Sequence, residues 1–167
     1  YATFFCCRFG VCTDRVGRKR RFMIRQITEA DREKYLEFSK IFYDSPAVDA
    51  PIPESYRIAA FEEMVASRER LVGVFLECDG KPAGYGLASK MYSQEAGGIQ
   101  LWLEELFILP EYRSRGLGRE FFAYMESLPN VARTRLEYAK DNVRAVALYR
   151  KLGYVDMPYG QLMKKIK

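Results

Sequence analysis

Histidine is absent from the 167 residues of the chain. Its absence excludes Ser–His and Cys–His nucleophilic catalysis, so any general base must be a carboxylate, an amine, a tyrosinate or water. Cysteine is scarce, and three of the four cysteines (Cys6, Cys7 and Cys12) lie near the N-terminus. Without a fourth ligand at a suitable spacing they do not predict a zinc site. We therefore expect no bound metal, reduced thiols and a cytoplasmic location.

Long apolar runs are also lacking, and none approaches the roughly 20 residues that a membrane-spanning helix needs. The formal net charge of +5 comes entirely from residues 1–22, which hold six basic residues and one acidic residue. The rest of the chain carries basic and acidic residues in equal number. We therefore expect no membrane and no nucleic-acid partner for the folded part.

Residues 1–22 are predicted to be a basic leader that is disordered or not native, with Met23 as the natural start. Their apolar residues precede the basic cluster, which is the reverse of a secretory signal. The remaining length suits one domain with a sizeable core. We therefore predict a single domain over residues 23–167.

The order of hydrophobic patterns predicts an α/β fold with a mixed, mostly antiparallel sheet of six to seven strands flanked by about four helices. Strands are predicted over 22–27, 71–78, 81–92, 99–109, 133–139, 154–157 and 161–166. Helices are predicted over 28–45, 54–69, 116–127 and 142–152. Thr28 and Asp31 suggest a capping box, and Asp79-Gly80 indicates a tight hairpin turn.

A basic, glycine-containing loop stands between a predicted strand and a predicted helix. Gly116 and Gly118 allow the main chain to approach an anion, and the unpaired amides of the first helical turn suit a phosphate. Arg113, Arg115 and Arg119 add positive charge for a diphosphate. Neither a P-loop nor a dinucleotide fingerprint fits, because Arg119 follows Gly118 where the P-loop has lysine, and Phe121 occupies the third glycine position.

Residues 103–118 are similar to the signature of the GNAT N-acetyltransferases, whose Arg/Gln-x-x-Gly-x-Gly/Ala hallmark is matched here by Arg113, Gly116 and Gly118. A second segment, 142–154, resembles the family's Asn, Leu-Tyr and Leu-Gly-Tyr motif. The resemblance implies an acetyl-CoA-dependent N-acetyltransferase with acetyl-CoA as co-substrate. The residues that it assigns to coenzyme binding are Leu106, Phe107, Ile108, Arg113, Ser114, Arg115, Gly116, Leu117, Gly118, Arg119, Asn142 and Tyr149.

The chemistry of acetyl transfer needs a group that takes a proton from the amine. Strand alternation predicts that Glu104 and Glu105 point to opposite faces. Resemblance to the spermidine/spermine acetyltransferases favours Glu104 over Glu105 as the base, acting through water. Glu137 is a further candidate for the base by similarity to N-terminal acetyltransferases. Tyr149 is the expected acid for the leaving thiolate. The oxyanion donor is expected among the main-chain N–H groups of residues 106–108, where family members have a bulge.

The acceptor is the least determined part of the sequence interpretation. Family resemblance places acceptor contacts in residues 43–56, 92–98 and 157–161. Asp44, Asp49 and Glu54, with Glu104 and Glu105, favour a cationic small amine such as a polyamine or an aminoglycoside. The alternatives are acetylation of a protein N-terminus or lysine, and a non-catalytic acyl-CoA-binding module. Because many relatives dimerise, a homodimer is a further expectation.

Overall fold

The computed structural model describes residues 8–13, 19–46, 48, 50–139 and 141–166. The chain divides into two compact units, one ending at Glu137 and the other beginning at Tyr138, and each is described by itself. The strands are β1 (Arg8–Thr13), β2 (Lys19–Gln26), β3 (Leu71–Cys78), β4 (Lys81–Ser93), β5 (Gly98–Ile108) and β6 (Val131–Leu136). The helices are α1 (Arg32–Tyr43), α2 (Glu54–Ala66), α3 (Leu117–Glu126) and α4 (Val143–Lys151).

The six strands form one sheet in the order β1-β2-β3-β4-β5-β6. Neighbouring strands are antiparallel except β5 and β6, which are parallel and are connected through α3. A parallel pair needs such a crossover, whereas antiparallel neighbours can be joined by short turns. The predicted α/β class, the mixed sheet and the four helices are confirmed.

The set of strands differs from the prediction at both ends of the chain. Five of the seven predicted strands form, but residues 154–157 and 161–166 form none. These two segments pair with none of the described strands, and the side chains of Val155 and Leu162 are exposed. At the other end, Arg8–Thr13 pairs with β2 where the sequence predicted a disordered or non-native leader.

Helices cover both faces of the sheet within the first unit. On one face, α1 and α2 pack their apolar residues on the central strands. In this core Tyr35 contacts Phe61 and Tyr85, and Phe38 contacts Phe75. On the opposite face, α3 packs against β2, β5 and β6. No described helix is long and apolar enough to cross a bilayer.

Two local signals in the sequence have the predicted geometry. Asp79 and Gly80 both have positive φ, at 52° and 74°, as a type I′ hairpin turn requires. The main-chain N–H and the hydroxyl of Thr28 donate to the Asp31 carboxylate at 2.8 and 2.7 Å. The turn and the cap therefore fix the entry to β4 and the start of the segment leading into α1.

Gly86 of β4 provides a test of the contact between the sheet and α3. A Cβ atom at this position would lie 2.2 Å from the Phe121 ring. We therefore expect Gly86→Ala to lower the free energy of unfolding by about 1–3 kcal/mol, measured by chemical denaturation. Adding Phe121→Leu should recover part of the loss.

The control is Gly160→Ala, because nothing lies within 4 Å of a Cβ there. That change should alter stability by less than about 0.5 kcal/mol. Equal effects of the two substitutions would show that α3 does not pack on Gly86.

Candidate active site on strand β5

A β-bulge interrupts the pairing of β4 with β5. Leu87 pairs with Glu105 and the next residue, Ala88, pairs with Leu103, so Glu104 is the extra residue on β5. A bulge of this kind bends the strand and changes the faces to which the following side chains point. Since Leu87 and Ala88 point to opposite faces, Leu103 and Glu105 must do so as well.

The bulge brings both acidic side chains to the same face of the sheet. The Ser89 hydroxyl donates to Glu104 Oε1 at 2.8 Å. Ser89 shares a face with Leu87, which is also the face of its partner Glu105. The prediction that Glu104 and Glu105 lie on opposite faces was therefore wrong, because strict alternation ends at the extra residue.

Glu105 is buried and fully engaged by hydrogen bonds. Its Oε1 accepts from the Tyr43 hydroxyl at 2.6 Å, and its Oε2 accepts from the Tyr85 hydroxyl. Burial raises the pKa of the Glu105 carboxyl, and the two tyrosine hydrogen bonds oppose that rise. Burial and the adjacent carboxylate also raise the pKa of both tyrosines. Both oxygens of Glu105 are thus committed to protein partners.

Glu104 is exposed as a side chain, although its carboxyl group is partly desolvated. This desolvation raises the pKa of the Glu104 carboxyl, and the negative charge of Glu137 raises it further. The Ser89 hydrogen bond acts in the opposite direction. Glu104 therefore combines access from solvent with a pKa shifted toward the range in which a carboxylate accepts protons.

The main chain beyond the bulge has hydrogen-bonding groups that the sheet does not use. The β5–β6 ladder ends at the pair Leu103 and Leu136. From that point, none of the described strands pairs with β5 on the β6 side. The amide groups that point to this side therefore line an opening between the two strands.

The register identifies which amides face this opening. The Leu109 N–H donates to the Ala83 carbonyl at 2.9 Å. Because such bonds alternate along an antiparallel pair, the Phe107 N–H also points to β4. The N–H groups of Leu106 and Ile108 point away from β4, into the opening. Of the three predicted main-chain donors, Phe107 is thus directed to its sheet partner and the other two to the opening.

The predicted phosphate loop has the geometry of an anion site at a helix N-terminus. Gly116 is the N-cap of α3 with φ 88°, and no heavy atom lies within 4 Å of the position of a Cβ. The Glu120 N–H donates to the Gly116 carbonyl at 3.1 Å as the first helical bond. The amides of Leu117, Gly118 and Arg119 therefore have no acceptor within the helix.

The arginines of the loop differ in their surroundings. Arg113 Nε donates to the Ile108 carbonyl at 2.8 Å, which ties the loop to the end of β5. The Arg115 guanidinium lies over the Tyr112 ring at 5.5 Å and lines a pocket with Lys81 at the β3–β4 turn. Ser114 has φ 62°, a left-handed conformation that reverses the chain before Gly116. The loop is thus shaped by main-chain geometry as well as by charge.

The second sequence motif lies in the second unit and has local structural roles. The Asn142 side chain caps α4 by accepting from the Ala145 N–H at 3.2 Å. Gly153, with φ 89°, ends the helix in a Schellman motif, in which the Tyr154 N–H donates to the Tyr149 carbonyl at 3.0 Å. The Tyr149 and Tyr154 rings pack at 6.1 Å. Burial raises the pKa of the Tyr149 hydroxyl.

The first unit thus brings together Glu104, the two outward amides of β5 and the phosphate loop. Asn142 and Tyr149 belong to the second unit. Sequence reasoning missed Ser89 and Tyr85, since a bulge register is needed to place them at the acidic pair. Among the described residues, no group of three or more His, Cys, Asp or Glu side chains is arranged to hold a metal.

Residues 30–154 match the sequence model of the Acetyltransferase (GNAT) family. The chain belongs to this family. Thialysine N-epsilon-acetyltransferases of Bos taurus and Sus scrofa are each 32% identical to it over 95 residues. These matches cover 52% of this chain and 55% of each relative, so the chain spans about half the length of these relatives.

Solved structures of acetyltransferases share the fold. A possible acetyltransferase from Clostridium difficile 630 aligns with a TM-score of 0.75 at 17% identity, covering 87% of this chain and 98% of the other. The aminoglycoside N-acetyltransferase AAC(6')-Iy, in complex with CoA, aligns with a TM-score of 0.70 at 19% identity, covering 90% and 98%. At these identities the likeness establishes the GNAT fold.

The pKa of Glu104 can be measured directly by NMR titration of ¹³C-labelled glutamate carboxyls. We expect Glu104 to titrate above the ordinary value of 4.5. Glu137→Gln should lower this pKa by removing a neighbouring negative charge, whereas Ser89→Ala should raise it by removing a hydrogen bond to the ionised form. Glu137→Asp, which keeps the charge, is the control. An unchanged Glu104 titration in Glu137→Gln would contradict the described site.

Proposed function

We propose that the chain transfers an acetyl group from acetyl-CoA to a primary amine of a small molecule. The observation that supports this proposal best is the bulge at Glu104, which places an accessible carboxylate beside the opening between β5 and β6. When bound, acetyl-CoA supplies the acyl group as an activated thioester. The open space at Gly116 and the outward amides of Leu106 and Ile108 fit the binding of this coenzyme.

Binding of the coenzyme diphosphate is assigned to the start of α3. The amides of Leu117, Gly118 and Arg119 point out of the first turn, and the helix dipole adds partial positive charge there. Arg113, Ser114 and Arg115 precede them in the loop. The outward N–H groups of Leu106 and Ile108 would hold the extended arm of the coenzyme by main-chain hydrogen bonds, as a neighbouring strand would.

Glu104 is the proposed general base. A primary amine has a pKa near 10 and is mostly protonated at neutral pH, so a proton must leave before it attacks. Glu104 is accessible and has a raised pKa, which suits it to accept that proton directly or through water. Glu105 does not suit the role because Tyr43 and Tyr85 occupy both of its oxygens. Glu137 then acts on the pKa of Glu104.

Two further groups complete the proposal. The Leu106 N–H, or that of Ile108, would donate to the acyl oxygen as it gains negative charge. Tyr149 would return a proton to the departing thiolate, because burial raises the pKa of its hydroxyl and so keeps the phenol protonated until the thiolate forms. Its support is the match of the second motif to the family.

The acceptor class is supported by the named activities of similar proteins. One set of relatives is named for thialysine, and one structural neighbour is an aminoglycoside acetyltransferase. Both substrates are small molecules with amino groups. No contact within the described residues favours a protein N-terminus or a protein lysine as the acceptor.

The base assignment predicts the effect of Glu104→Gln on acetyl transfer. We expect kcat to fall by about a hundredfold or more, while KM for acetyl-CoA changes little, because a proton acceptor is lost and the coenzyme site remains. In the unsubstituted chain, activity should fall as pH drops through the raised pKa of Glu104. The measurement is thiol release from acetyl-CoA across a panel of small amines.

Glu137→Gln is the matched control for this experiment. It should retain activity within a few-fold and shift the acid limb of the pH profile to lower pH, since the pKa of Glu104 falls. A larger loss in Glu137→Gln than in Glu104→Gln would make Glu137 the base. Tight acetyl-CoA binding without thiol release from any amine would instead indicate a non-catalytic binding module.

The coenzyme site predicts a specific effect of Gly116→Ala. A Cβ at φ 88° strains the N-cap and enters the space assigned to the diphosphate. We expect the affinity for CoA to fall about tenfold, measured by isothermal titration calorimetry. Gly97→Ala is the control, because Gly97 has φ 68° and similarly open surroundings in the β4–β5 turn. Equal affinities of the two variants would exclude the loop as the diphosphate site.

A further inference from the structure

Several polar side chains next to Glu104 share the sheet face on which α1 and α2 pack. Trp102 of β5 pairs with Ser89 on one side and with Arg135 on the other, so the three side chains point to this face. Ser89 also binds Glu104, and the charge of Glu137 acts on Glu104. These five residues, Ser89, Trp102, Glu104, Arg135 and Glu137, are called the acceptor strip.

Arg135 is held by an aromatic ring rather than by an ion pair. Its guanidinium carbon lies 4.7 Å from the centroid of the Trp102 ring, and both side chains are half-buried. Among the described residues, none forms a hydrogen bond or a salt bridge with the Arg135 side chain. The pKa of Glu95 is lowered mainly by its hydrogen bond from Arg133, and the positive charge of Arg135 only adds to this effect. Stacking thus orients the guanidinium and leaves its donors available.

Arg133, two residues earlier on the same strand, shows the opposite arrangement. Its guanidinium donates to Gln100 at 2.7 Å, to Ser93 at 3.1 Å and to Glu95 at 3.1 Å. The guanidinium of Arg133 therefore finds its hydrogen-bond acceptors within the protein, and Arg133 has a structural role at the β5–β6 ladder. The comparison shows that the sheet supplies acceptors for one arginine of the pair and supplies none for the other.

The charges along the acceptor strip have both signs. Glu104 and Glu137 lie at one end of the acceptor strip, where the amine must lose its proton. Arg135, which stacks on Trp102, lies two residues before Glu137 in the chain. Two residues along a strand correspond to roughly 6–7 Å. A small molecule with an amine at one end and a carboxylate several bonds away matches this order of charges. A polyamine would instead place a second positive charge against Arg135, which is unfavourable.

We propose that Arg135, stacked on Trp102, binds a carboxylate of the acceptor, so that the preferred substrates are amines that carry a carboxylate several bonds from the reacting nitrogen. This inference rests on the proposed acetyl transfer and narrows its substrate class. A guanidinium can bind a carboxylate through two parallel hydrogen bonds, which fixes the orientation of the substrate. Arg135 is then a specificity-determining residue, and Glu104 remains the base.

The test compares acceptors that differ only in the carboxylate. Lysine is paired with 1,5-diaminopentane, and 6-aminohexanoate is paired with pentylamine. In the unsubstituted chain, we expect kcat/KM to be about tenfold or more higher for the carboxylate-bearing member of each pair, mainly through KM. Arg135→Gln should lower this ratio by about tenfold, and Arg135→Lys should keep part of it.

Arg70→Gln is the charge control, because it removes one exposed positive charge outside the acceptor strip and should leave the ratio unchanged.

A second readout measures acceptor binding without turnover. Trp102 is the single tryptophan of the chain, so its fluorescence in the presence of CoA should change on addition of 6-aminohexanoate and not of pentylamine. Arg135→Gln should abolish that change.

The outcomes separate this inference from the proposed function. Acetylation of both members of each pair at equal kcat/KM, or a ratio unaffected by Arg135→Gln, would overturn the carboxylate site and leave acetyl transfer standing. Absence of thiol release from every amine, with or without a carboxylate, would overturn the proposed function and this inference with it.

Discussion

One extra residue in β5, Glu104, is the constraint on which the site depends. Because it has no partner on β4, the side chains after it change face, and Glu105 turns toward α1 while Glu104 stays accessible beside it. The bulge also lies at the point where β5 and β6 stop pairing. The proposed base and an unpaired stretch of main chain therefore occur together, which is the arrangement that the proposed transfer from an extended coenzyme needs.

The two adjacent glutamates illustrate how burial divides roles between identical side chains. Glu105 loses its solvent but accepts hydrogen bonds from two tyrosine hydroxyls, so both of its oxygens are committed to protein partners. Glu104 keeps access to solvent, receives one hydroxyl from Ser89 and lies near Glu137. The same chemical group thus serves as a fixed anchor in one position and as a candidate base in the next.

Much of the fold could be predicted from the sequence because its signals are local. The Asp79-Gly80 turn and the glycine at the start of α3 follow from φ values that few other residues adopt. Family resemblance led us to expect a bulge at residues 106–108, whereas the pairing places it at Glu104. Its position depends on the register between two strands and leaves no local mark in the sequence. The C-terminal strand predictions failed because a short segment with apolar residues does not by itself supply a pairing partner. The strand Arg8–Thr13 was missed because the sequence interpretation placed residues 1–22 outside the folded domain.

Amide hydrogen exchange of β5, measured with and without CoA, tests the central claim most directly. The account predicts fast exchange at Leu106 and Ile108 in the free protein, slowed when CoA is added, and slow exchange at Phe107 in both states. Protection of Leu106 and Ile108 in the free protein, or no change at these two amides on adding CoA, would contradict it.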